Sequence, residues 1–223
     1  MNKNALKSNT PRSIGIFGGT FDPIHYGHLR IALECKEALK LDELRMIPCA
    51  RPPHRAHPAG SAEQRLAMLQ VALENSDHII ADDRELRRSG LSYTVDTLQS
   101  FKYDYPQSAL YLILGSDSFQ SLPTWHNWGR ILELANIVIA KRPDSGDDRL
   151  SDTGKILSDH FIEDLESYQG SLFGKIFQLK VSQLEISSTR VRDLVADNKS
   201  PQYLLPEAVI KYIKSNLLYK ERD

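Results

Sequence analysis

Two histidines that lie three residues apart follow a pair of glycines early in the chain. The segment reads Gly18-Gly-Thr-Phe-Asp-Pro-Ile-His-Tyr-Gly-His28 and stands between an apolar stretch and a helical pattern. The start of a helix exposes unpaired backbone N–H groups and about half a positive charge. An anion such as a phosphate fits there, and glycines let the backbone approach it closely. We therefore predict that this segment binds phosphate.

Other chemistries fit the same segment less well. Asp22, His25 and His28 could form a metal site of two histidines and one carboxylate, but a helix start disfavours a cation. The spacings of the dinucleotide fingerprint G-x-G-x-x-G and of the phosphate loop G-x-x-x-x-G-K-[ST] do not occur here. A lone histidine is usually structural, but two of them behind a glycine turn at a helix start favour a functional interpretation.

A strand before this segment and a helix after it must position it, and the same alternation continues along the chain. Short apolar runs predict the strands, which are 14–17, 44–48, 78–81, 109–114, 137–140 and 175–181. Such alternation is typical of an α/β fold with one doubly wound parallel sheet in three layers. Ligands of these folds bind beyond the carboxyl ends of the strands. The loops that follow predicted strands there are 18–28, 49–57, 115–118 and 141–143.

Capping residues and prolines predict several boundaries. Ser61 and Gln64 have the spacing of a capping box at the start of a helix. Pro206 is predicted at the first position of the last helix, which runs through Leu217. Residues 144–170 are polar and weakly periodic, so they predict an excursion with one helix and no assigned function.

The composition limits the class of protein. The chain has 223 residues, a net charge of −1 and 41% hydrophobic residues, so it can form a full core. No broad basic surface is expected, which argues against a general nucleic-acid binder. No apolar run reaches the ~18 residues of a membrane span. We predict a flexible leader over 1–12 rather than a signal peptide, one domain over 13–223 with a helical carboxyl-terminal part over about 187–219, and a cytoplasmic location.

Several motifs together resemble one enzyme family. The segment 18–28 resembles the signature of the nucleotidyltransferases related to class I aminoacyl-tRNA synthetases, and Ile186-Ser-Ser-Thr-Arg-Val-Arg192 resembles their second signature. With the further matches at 52–55, 92–94, 115–117, 123–125 and 141–143, the chain from Ile14 to Tyr219 resembles the bacterial nicotinate-nucleotide adenylyltransferases. The resemblance implies a Rossmann-like nucleotidyltransferase fold. It also implies an enzyme of NAD biosynthesis that joins ATP to nicotinate mononucleotide by direct in-line attack, without a covalent intermediate, and releases pyrophosphate.

The resemblance also assigns roles in catalysis and ATP binding. It implies that His25, His28 and Arg192 are catalytic, because they would stabilise charge that develops on the phosphates. Arg190 is a rival to Arg192, and helical spacing alone does not choose between them. The implied ATP-binding residues are Gly18, Gly19, Thr20, His25, His28, Gly115, Asp117, Ser187, Thr189 and Arg192.

A second set of residues is implied for the mononucleotide: Arg55, Thr94, Trp125 and Arg142. The backbone N–H groups of Thr94 and Trp125 would bind the nicotinate carboxylate, and the Trp125 ring would stack on the pyridine ring. The loop Cys49-Ala-Arg51 departs from the pattern, because relatives often have an asparagine there.

The resemblance implies further partners. Mg²⁺ is expected only with the ATP phosphates, keeping several waters and using no protein metal site. ATP and nicotinate mononucleotide are the expected substrates, and neither nucleic acid nor a membrane is expected as a partner. The choice between monomer and homo-oligomer stays open. So do two alternatives: a sister transferase that uses nicotinamide mononucleotide or phosphopantetheine as acceptor, and a nucleotide sensor without turnover.

Overall fold

Six parallel strands form one sheet in the computed structural model, which describes residues 12–52, 58–141, 146–163, 170–182 and 184–220. Within these residues the strands are β1 (Ser13–Gly19), β2 (Glu43–Pro48), β3 (Ile79–Ala81), β4 (Ala109–Gly115), β5 (Asn136–Lys141) and β6 (Ile176–Lys180). Their order across the sheet is β3-β2-β1-β4-β5-β6, and every neighbouring pair is parallel. The predicted doubly wound parallel sheet is confirmed.

The winding direction reverses between β1 and β4. From β1 the chain moves outward through β2 to β3, then returns to the other side of β1 and moves outward again from β4 to β6. Ile14 pairs with Leu110 in register at this junction. Because the loops after the two central strands leave in opposite directions, such a junction opens a crevice at the carboxyl edge of the sheet.

Helices connect the strands and cover both faces of the sheet. They are α1 (Tyr26–Ala38), α2 (Ala62–Leu73), α3 (Arg84–Arg87), α4 (Thr94–Asp104), α5 (Ser116–Gln120), α6 (Ile131–Leu134), α7 (Asp152–Ile156), α8 (Ser188–Ala196) and α9 (Glu207–Ser215). Short 3-10 turns occur at Leu122–Thr124, Trp128–Arg130, Asp148–Leu150 and Ser158–His160.

The two faces of the sheet carry separate apolar clusters. In β4, Leu110, Leu112 and Leu114 belong to a cluster with residues of α4, α5 and α6. Tyr111 and Ile113 of the same strand belong to a cluster with residues of α1, α2, α8 and α9. Because successive side chains of a strand point to opposite faces, the sheet lies between two helical layers. The predicted three-layer arrangement is confirmed.

The predicted capping box at the start of α2 is confirmed. The Ser61 hydroxyl accepts the Gln64 N–H at 3.2 Å, and the Gln64 side chain accepts the Ser61 N–H at 2.9 Å. The excursion over 144–170 contains α7 and two 3-10 turns, although residues 142–145 and 164–169 lie outside the described residues.

Two predicted boundaries need correction. Pro206 precedes α9 as its N-cap instead of occupying its first position. Its backbone is extended (ψ 144°), and its carbonyl accepts the N–H groups of Val209 and Ile210. The helix ends at Ser215, and Leu217 beyond it adopts a left-handed conformation with φ of 52°.

The amino-terminal end is described from Arg12 onward. The Arg12 carbonyl accepts the Ala109 N–H, and its guanidinium pairs with Glu43 at 2.8 Å. Arg12, which was predicted within the leader, is therefore attached to the sheet, while residues 1–11 lie outside the described part. None of the described helices is long and apolar enough to span a membrane.

Candidate active site

A cavity of about 350 Å³ lies at the carboxyl edge of the sheet, between β1 and β4. We call it the switch-point cavity. Apolar side chains of three strands line it: Ile16, Ile47, Leu112 and Leu114. Residues of strand ends, loops and helices complete the lining, among them Gly18, Gly19, Thr20, Cys49, Ser92, Tyr93, Thr94, Thr97, Ser118, Ser121, Thr124, Trp125 and His126. This combination suits a ligand with an aromatic ring and polar substituents.

The amino-terminal end of α4 meets the switch-point cavity. Thr94 is the first residue of this helix, and Tyr93 before it makes no side-chain cap. Because the first N–H groups of a helix have no partners within it, this end offers hydrogen-bond donors and a partial positive charge to an anion. The Ser92 hydroxyl accepts the N–H groups of Ala50 and Arg51, which ties this end to the loop after β2.

Trp125 also lines the cavity, but its backbone is used differently from the prediction. Its N–H donates to the Leu122 carbonyl at 3.0 Å and closes a 3-10 turn. That N–H is therefore not available to a carboxylate in this structure. The half-buried indole donates through Nε1 to the Ser121 hydroxyl at 3.3 Å. A stacking role for the ring is compatible with its place in the lining.

Glu85 is a cavity residue that the sequence interpretation missed. The residue is only 9% exposed, and its Oε1 accepts the Thr97 hydroxyl at 2.7 Å. Its Oε2 is buried and has no hydrogen-bond partner among the described residues. In the sequence Glu85 stands within a charged run, which hides it. Its only signal in the sequence is its distance from the helix that begins at Thr94. Without the fold, this distance does not show that Glu85 reaches the cavity.

His25 and His28 lie together at the start of α1. Their rings stack with centroids 3.8 Å apart, and Phe21 meets the His28 ring edge-on at 5.1 Å. The Nδ1 atoms of both histidines are buried without a hydrogen-bond partner in the described part of the chain. Aromatic packing thus positions the two rings, and these buried nitrogens remain unused.

Burial keeps both histidines neutral. It lowers the pKa of His25 from 6.5 to about 4. Burial and the neighbouring His25 together lower the pKa of His28 to about 3. At neutral pH these imidazoles act as N–H donors or acceptors without charge.

The start of α8 faces the same loop. The Ser188 hydroxyl donates to the Pro23 carbonyl at 2.9 Å. Ser187 is the N-cap, and its hydroxyl oxygen accepts the Arg190 N–H at 3.1 Å. The O–H groups of Ser187 and Thr189, both exposed residues, are still able to donate to a ligand. We call residues 18–28 and 187–192 together the histidine clamp.

The structure distinguishes the two arginines of α8. The Arg192 guanidinium donates to the Asp22 carbonyl at 2.7 Å and to the Thr189 hydroxyl at 3.2 Å. It is thereby held against the loop that carries the histidines. Arg190 is exposed, and its side chain makes no hydrogen bond within the described residues. The geometry favours Arg192 over Arg190 as the ordered cation of the clamp.

The remaining predicted ATP residues differ in their surroundings. Gly19 has a packing reason to be glycine, because a Cβ there would lie 2.7 Å from the Phe21 ring. A Cβ on Gly18 would meet no atom within 4 Å, so open space adjoins this residue. Gly115 is the N-cap of α5, and Asp117 is exposed in its first turn. Neither lines the switch-point cavity, although Ser118 beside them does.

The Asp22 carboxylate is occupied by protein donors. It accepts the N–H groups of Ala59 and Gly60 at 2.7 and 3.0 Å and the Tyr219 hydroxyl at 2.7 Å. Asp22 thus braces the turn. Its carboxylate is already hydrogen-bonded, which argues against the alternative metal site with His25 and His28. More generally, the described residues contain no group of three His, Cys, Asp or Glu side chains that could hold a metal.

Two predicted mononucleotide residues lie outside the described part of the chain. Arg55 falls within residues 53–57, and Arg142 falls within residues 142–145. Their roles stay predictions. Within the part of the chain that the structure describes, other predicted groups lie at one edge of the sheet. Thr94 and Trp125 line the cavity, and the clamp contains His25, His28 and Arg192.

Comparison with known proteins identifies the family. The chain is 45% identical over 207 residues to "Probable nicotinate-nucleotide adenylyltransferase" of Methylococcus capsulatus, a match that covers 92% of this chain and 99% of that protein. A protein of the same description from Pseudomonas syringae pv. tomato is 44% identical over 211 residues, with coverage of 94% and 95%. The chain belongs to the nicotinate-nucleotide adenylyltransferase family. This confirms the predicted family and the predicted enzyme class, a nucleotidyltransferase.

Two broader comparisons agree with membership of this family. A family model described as "Cytidylyltransferase-like" matches residues 16–194. The fold is similar to that of nicotinic acid mononucleotide adenylyltransferase from Plasmodium falciparum complexed with NaAD, with a TM-score of 0.71 and 23% identity over 93% of this chain and 97% of that one. The same protein complexed with APC gives a TM-score of 0.69 at 22% identity, over the same shares of the two chains. At these identities the similarity concerns the fold alone.

Proposed function

We propose that this chain joins ATP to nicotinate mononucleotide, forming nicotinate adenine dinucleotide and pyrophosphate. The observation that carries the proposal is the adjacency of two sites at one sheet edge. The switch-point cavity, with its aromatic lining and the uncapped start of α4, suits a pyridine ring with a carboxylate. The histidine clamp, with two helix starts and Arg192, suits a triphosphate. Gly18, Gly19 and Thr20 belong to both sites, because they line the cavity and begin the first segment of the clamp.

In the proposed mechanism the acceptor phosphate attacks the α-phosphate of ATP in line. The nucleophile is already anionic at pH 7, so no general base is needed, and positioning with charge stabilisation carries catalysis. His25 and His28, neutral in the free protein, would donate N–H groups to phosphate oxygens. Arg192 would add the charge of a guanidinium that can bind two oxygens at once. The charge that grows on the leaving pyrophosphate is thereby stabilised.

Several finer assignments belong to the same proposal. Ser187, Thr189, Gly115 and Asp117 would complete the ATP site, and Arg55 and Arg142 would add charge for the mononucleotide. Mg²⁺ would be carried by the ATP phosphates and water, since the described carboxylates form no metal cluster. When bound, the ion would neutralise part of the triphosphate charge. The proposed location is the cytoplasm, where ATP is available.

A second acceptor, nicotinamide mononucleotide, is favoured by one observation. A carboxamide needs both donors and an acceptor, and the cavity supplies donors at the start of α4 and an acceptor in the carboxylate of Glu85. A carboxylate needs donors alone and would be repelled by Glu85. Acid and amide are therefore the two acceptors to compare.

The test is pyrophosphate release with ATP, Mg²⁺ and each mononucleotide in parallel. We expect a higher kcat/KM with the acid, because the positive helix end favours an anion. A higher value with the amide would assign the second acceptor. Release only with phosphopantetheine would assign a sister transferase. Tight ATP binding without product from any acceptor would contradict the enzymatic proposal and indicate a sensor.

A further inference from the structure

The carboxyl-terminal part of the chain is hydrogen-bonded to the loop that leads into α1. The Ser188 hydroxyl and the Arg192 guanidinium donate to the carbonyls of Pro23 and Asp22, at 2.9 and 2.7 Å. The Leu204 carbonyl accepts the Tyr26 N–H at 3.0 Å. These bonds reach the backbone on both sides of His25, at Asp22, Pro23 and Tyr26.

Tyr219 adds a fourth bond of a different kind. Its hydroxyl donates to Oδ1 of the Asp22 carboxylate at 2.7 Å, across 197 positions of sequence. The neighbouring Leu218 is buried in the apolar cluster beneath α9. Burial and the negative Asp22 raise the pKa of Tyr219 far above its usual range, so the phenol stays a donor.

Asp22 connects this phenol to the clamp. The residue is 4% exposed, and Oδ2 of its carboxylate lies 3.9 Å from Nη1 of Arg192. Its own carbonyl accepts the bond from the same Nη1. The carboxylate and the backbone carbonyl of Asp22 therefore both contact the Arg192 guanidinium and together orient it. Loss of the phenol removes one of the two donors to Oδ1, and a rotation of the carboxylate would then change the distance between its charge and Arg192.

The surroundings leave the contact little freedom. A Cβ on Gly60 would lie 3.1 Å from Oδ1 of Asp22 and 3.3 Å from the Tyr219 hydroxyl, so a larger residue there would press on the pair. Arg65, 1% exposed, donates to the carbonyls of Gly60 and Thr20 at 3.2 and 2.8 Å. The same network thus continues to the end of β1.

We propose that Tyr219 is a positioning residue of the transfer reaction: through Asp22 it holds Arg192 in the orientation that binds the triphosphate. The inference rests on the proposed function, because it assigns Arg192 to ATP. Tyr219 itself touches no substrate in this scheme. Its effect on the reaction passes through the guanidinium alone.

The test is Tyr219→Phe, which removes the hydroxyl and keeps the ring. We expect kcat/KM for ATP to fall about tenfold, since a hydrogen bond to a buried charge is lost, while KM for the mononucleotide stays within twofold. Tyr212→Phe is the matched control, because Tyr212 lies on α9 and packs partly buried against the same cluster. It should leave both parameters within twofold of the parent chain.

A double-mutant cycle separates positioning from stability. In an Arg192→Ala background, Tyr219→Phe should lower kcat/KM for ATP by less than twofold, because the group that it orients is absent. An equal loss in both backgrounds would overturn the inference. So would unchanged ATP kinetics with a lower melting temperature, which would make Tyr219 a residue of the fold only.

Calorimetric titration with ATP keeps the two proposals distinguishable. If the parent chain releases no pyrophosphate, the proposed function fails, and ATP affinity then tests the inference by itself. Weaker ATP binding by Tyr219→Phe than by Tyr212→Phe supports it. Equal ATP affinities of the two variants overturn it.

Discussion

The switch-point cavity and the histidine clamp adjoin each other but offer a ligand different groups. The cavity offers apolar and aromatic surface, together with Oε2 of Glu85 and the uncapped start of α4. In the clamp the buried Nδ1 atoms of His25 and His28 have no partner among the described residues. The cavity therefore suits a ring with polar substituents, whereas the clamp, with its two imidazoles and the Arg192 guanidinium, suits charged phosphates.

This contrast predicts different kinetic signatures. Changes in the clamp should act on turnover and on the kinetic constants for ATP, because the phosphates are charged and gain charge in the transition state. Changes in the cavity should act mainly on KM for the mononucleotide, because ring binding is similar in the ground and transition states.

The largest effect is expected for His28→Ala. Loss of a donor to a developing charge costs about 3–4 kcal/mol by analogy with oxyanion holes, so kcat should fall by about 10²-fold or more. Steady-state pyrophosphate release measures it. His78→Asn is the control, since His78 is exposed and its φ of 61° suits asparagine. Near-normal turnover of His28→Ala would remove the histidines from the mechanism.

Arg192→Ala should have the next largest effect. We expect kcat/KM for ATP to fall about 30-fold, in keeping with the roughly 1.5–3 kcal/mol of a hydrogen bond to a charged group. Arg190→Ala, which changes an exposed residue of the same helix, should alter it less than twofold. Equal losses in the two variants would show that the triphosphate does not distinguish these arginines.

A smaller, selective effect is expected at Trp125. Stacking of a base on an aromatic ring contributes about 1–3 kcal/mol, so Trp125→Leu should raise KM for the mononucleotide about tenfold and leave KM for ATP unchanged. Trp128→Leu serves as the matched variant, because Trp128 packs on the same apolar cluster but does not line the cavity. If both variants raise KM alike, Trp125 acts through packing and not through stacking.

The smallest effect concerns stability. The pKa of His25 in the folded chain, about 4, lies below the value of 6.5 expected when unfolded. The unfolded state therefore binds more protons below pH 6.5, and stability falls as the pH drops toward 4. Between pH 7 and 5.5 this single histidine should lower the free energy of unfolding by about 1 kcal/mol. Urea titrations of the parent and His25→Gln at both pH values measure it, and equal pH dependence would contradict the assigned pKa.

Local sequence signals were sufficient to predict the features that depend on residues close together in the chain. The first strand, which ends at Gly19, the capping box at Ser61 and the helix start at Ser187 all depend on residues within a few positions of one another. The glycine and histidine spacing predicted a helix start at the carboxyl edge of the sheet, where the structure has α1. The resemblance to relatives then supplied the family, which spacing alone could not.

Contacts that span the chain escaped the sequence interpretation. Glu85 reaches the cavity only because α3 and α4 are brought together, and the Asp22–Tyr219 pair is separated by 197 positions. The Trp125 N–H, expected to face the mononucleotide, donates to the Leu122 carbonyl instead, because a 3-10 turn forms at Leu122–Thr124. The sequence shows the proline, Pro123, but it does not show which carbonyl accepts the Trp125 N–H.

The bond between Asp22 and Tyr219 also sets an order of events during synthesis. A ribosome makes the loop with the histidines early, and that loop can pair with Tyr219 only after residue 219 has left the exit tunnel. Domains form as units while the chain is being synthesised from its amino-terminal end. In a nascent chain all six strands, the last of which ends at Lys180, are therefore made before Tyr219 can reach Asp22. The contact that orients Arg192 in our proposal is then the last part of the site to form.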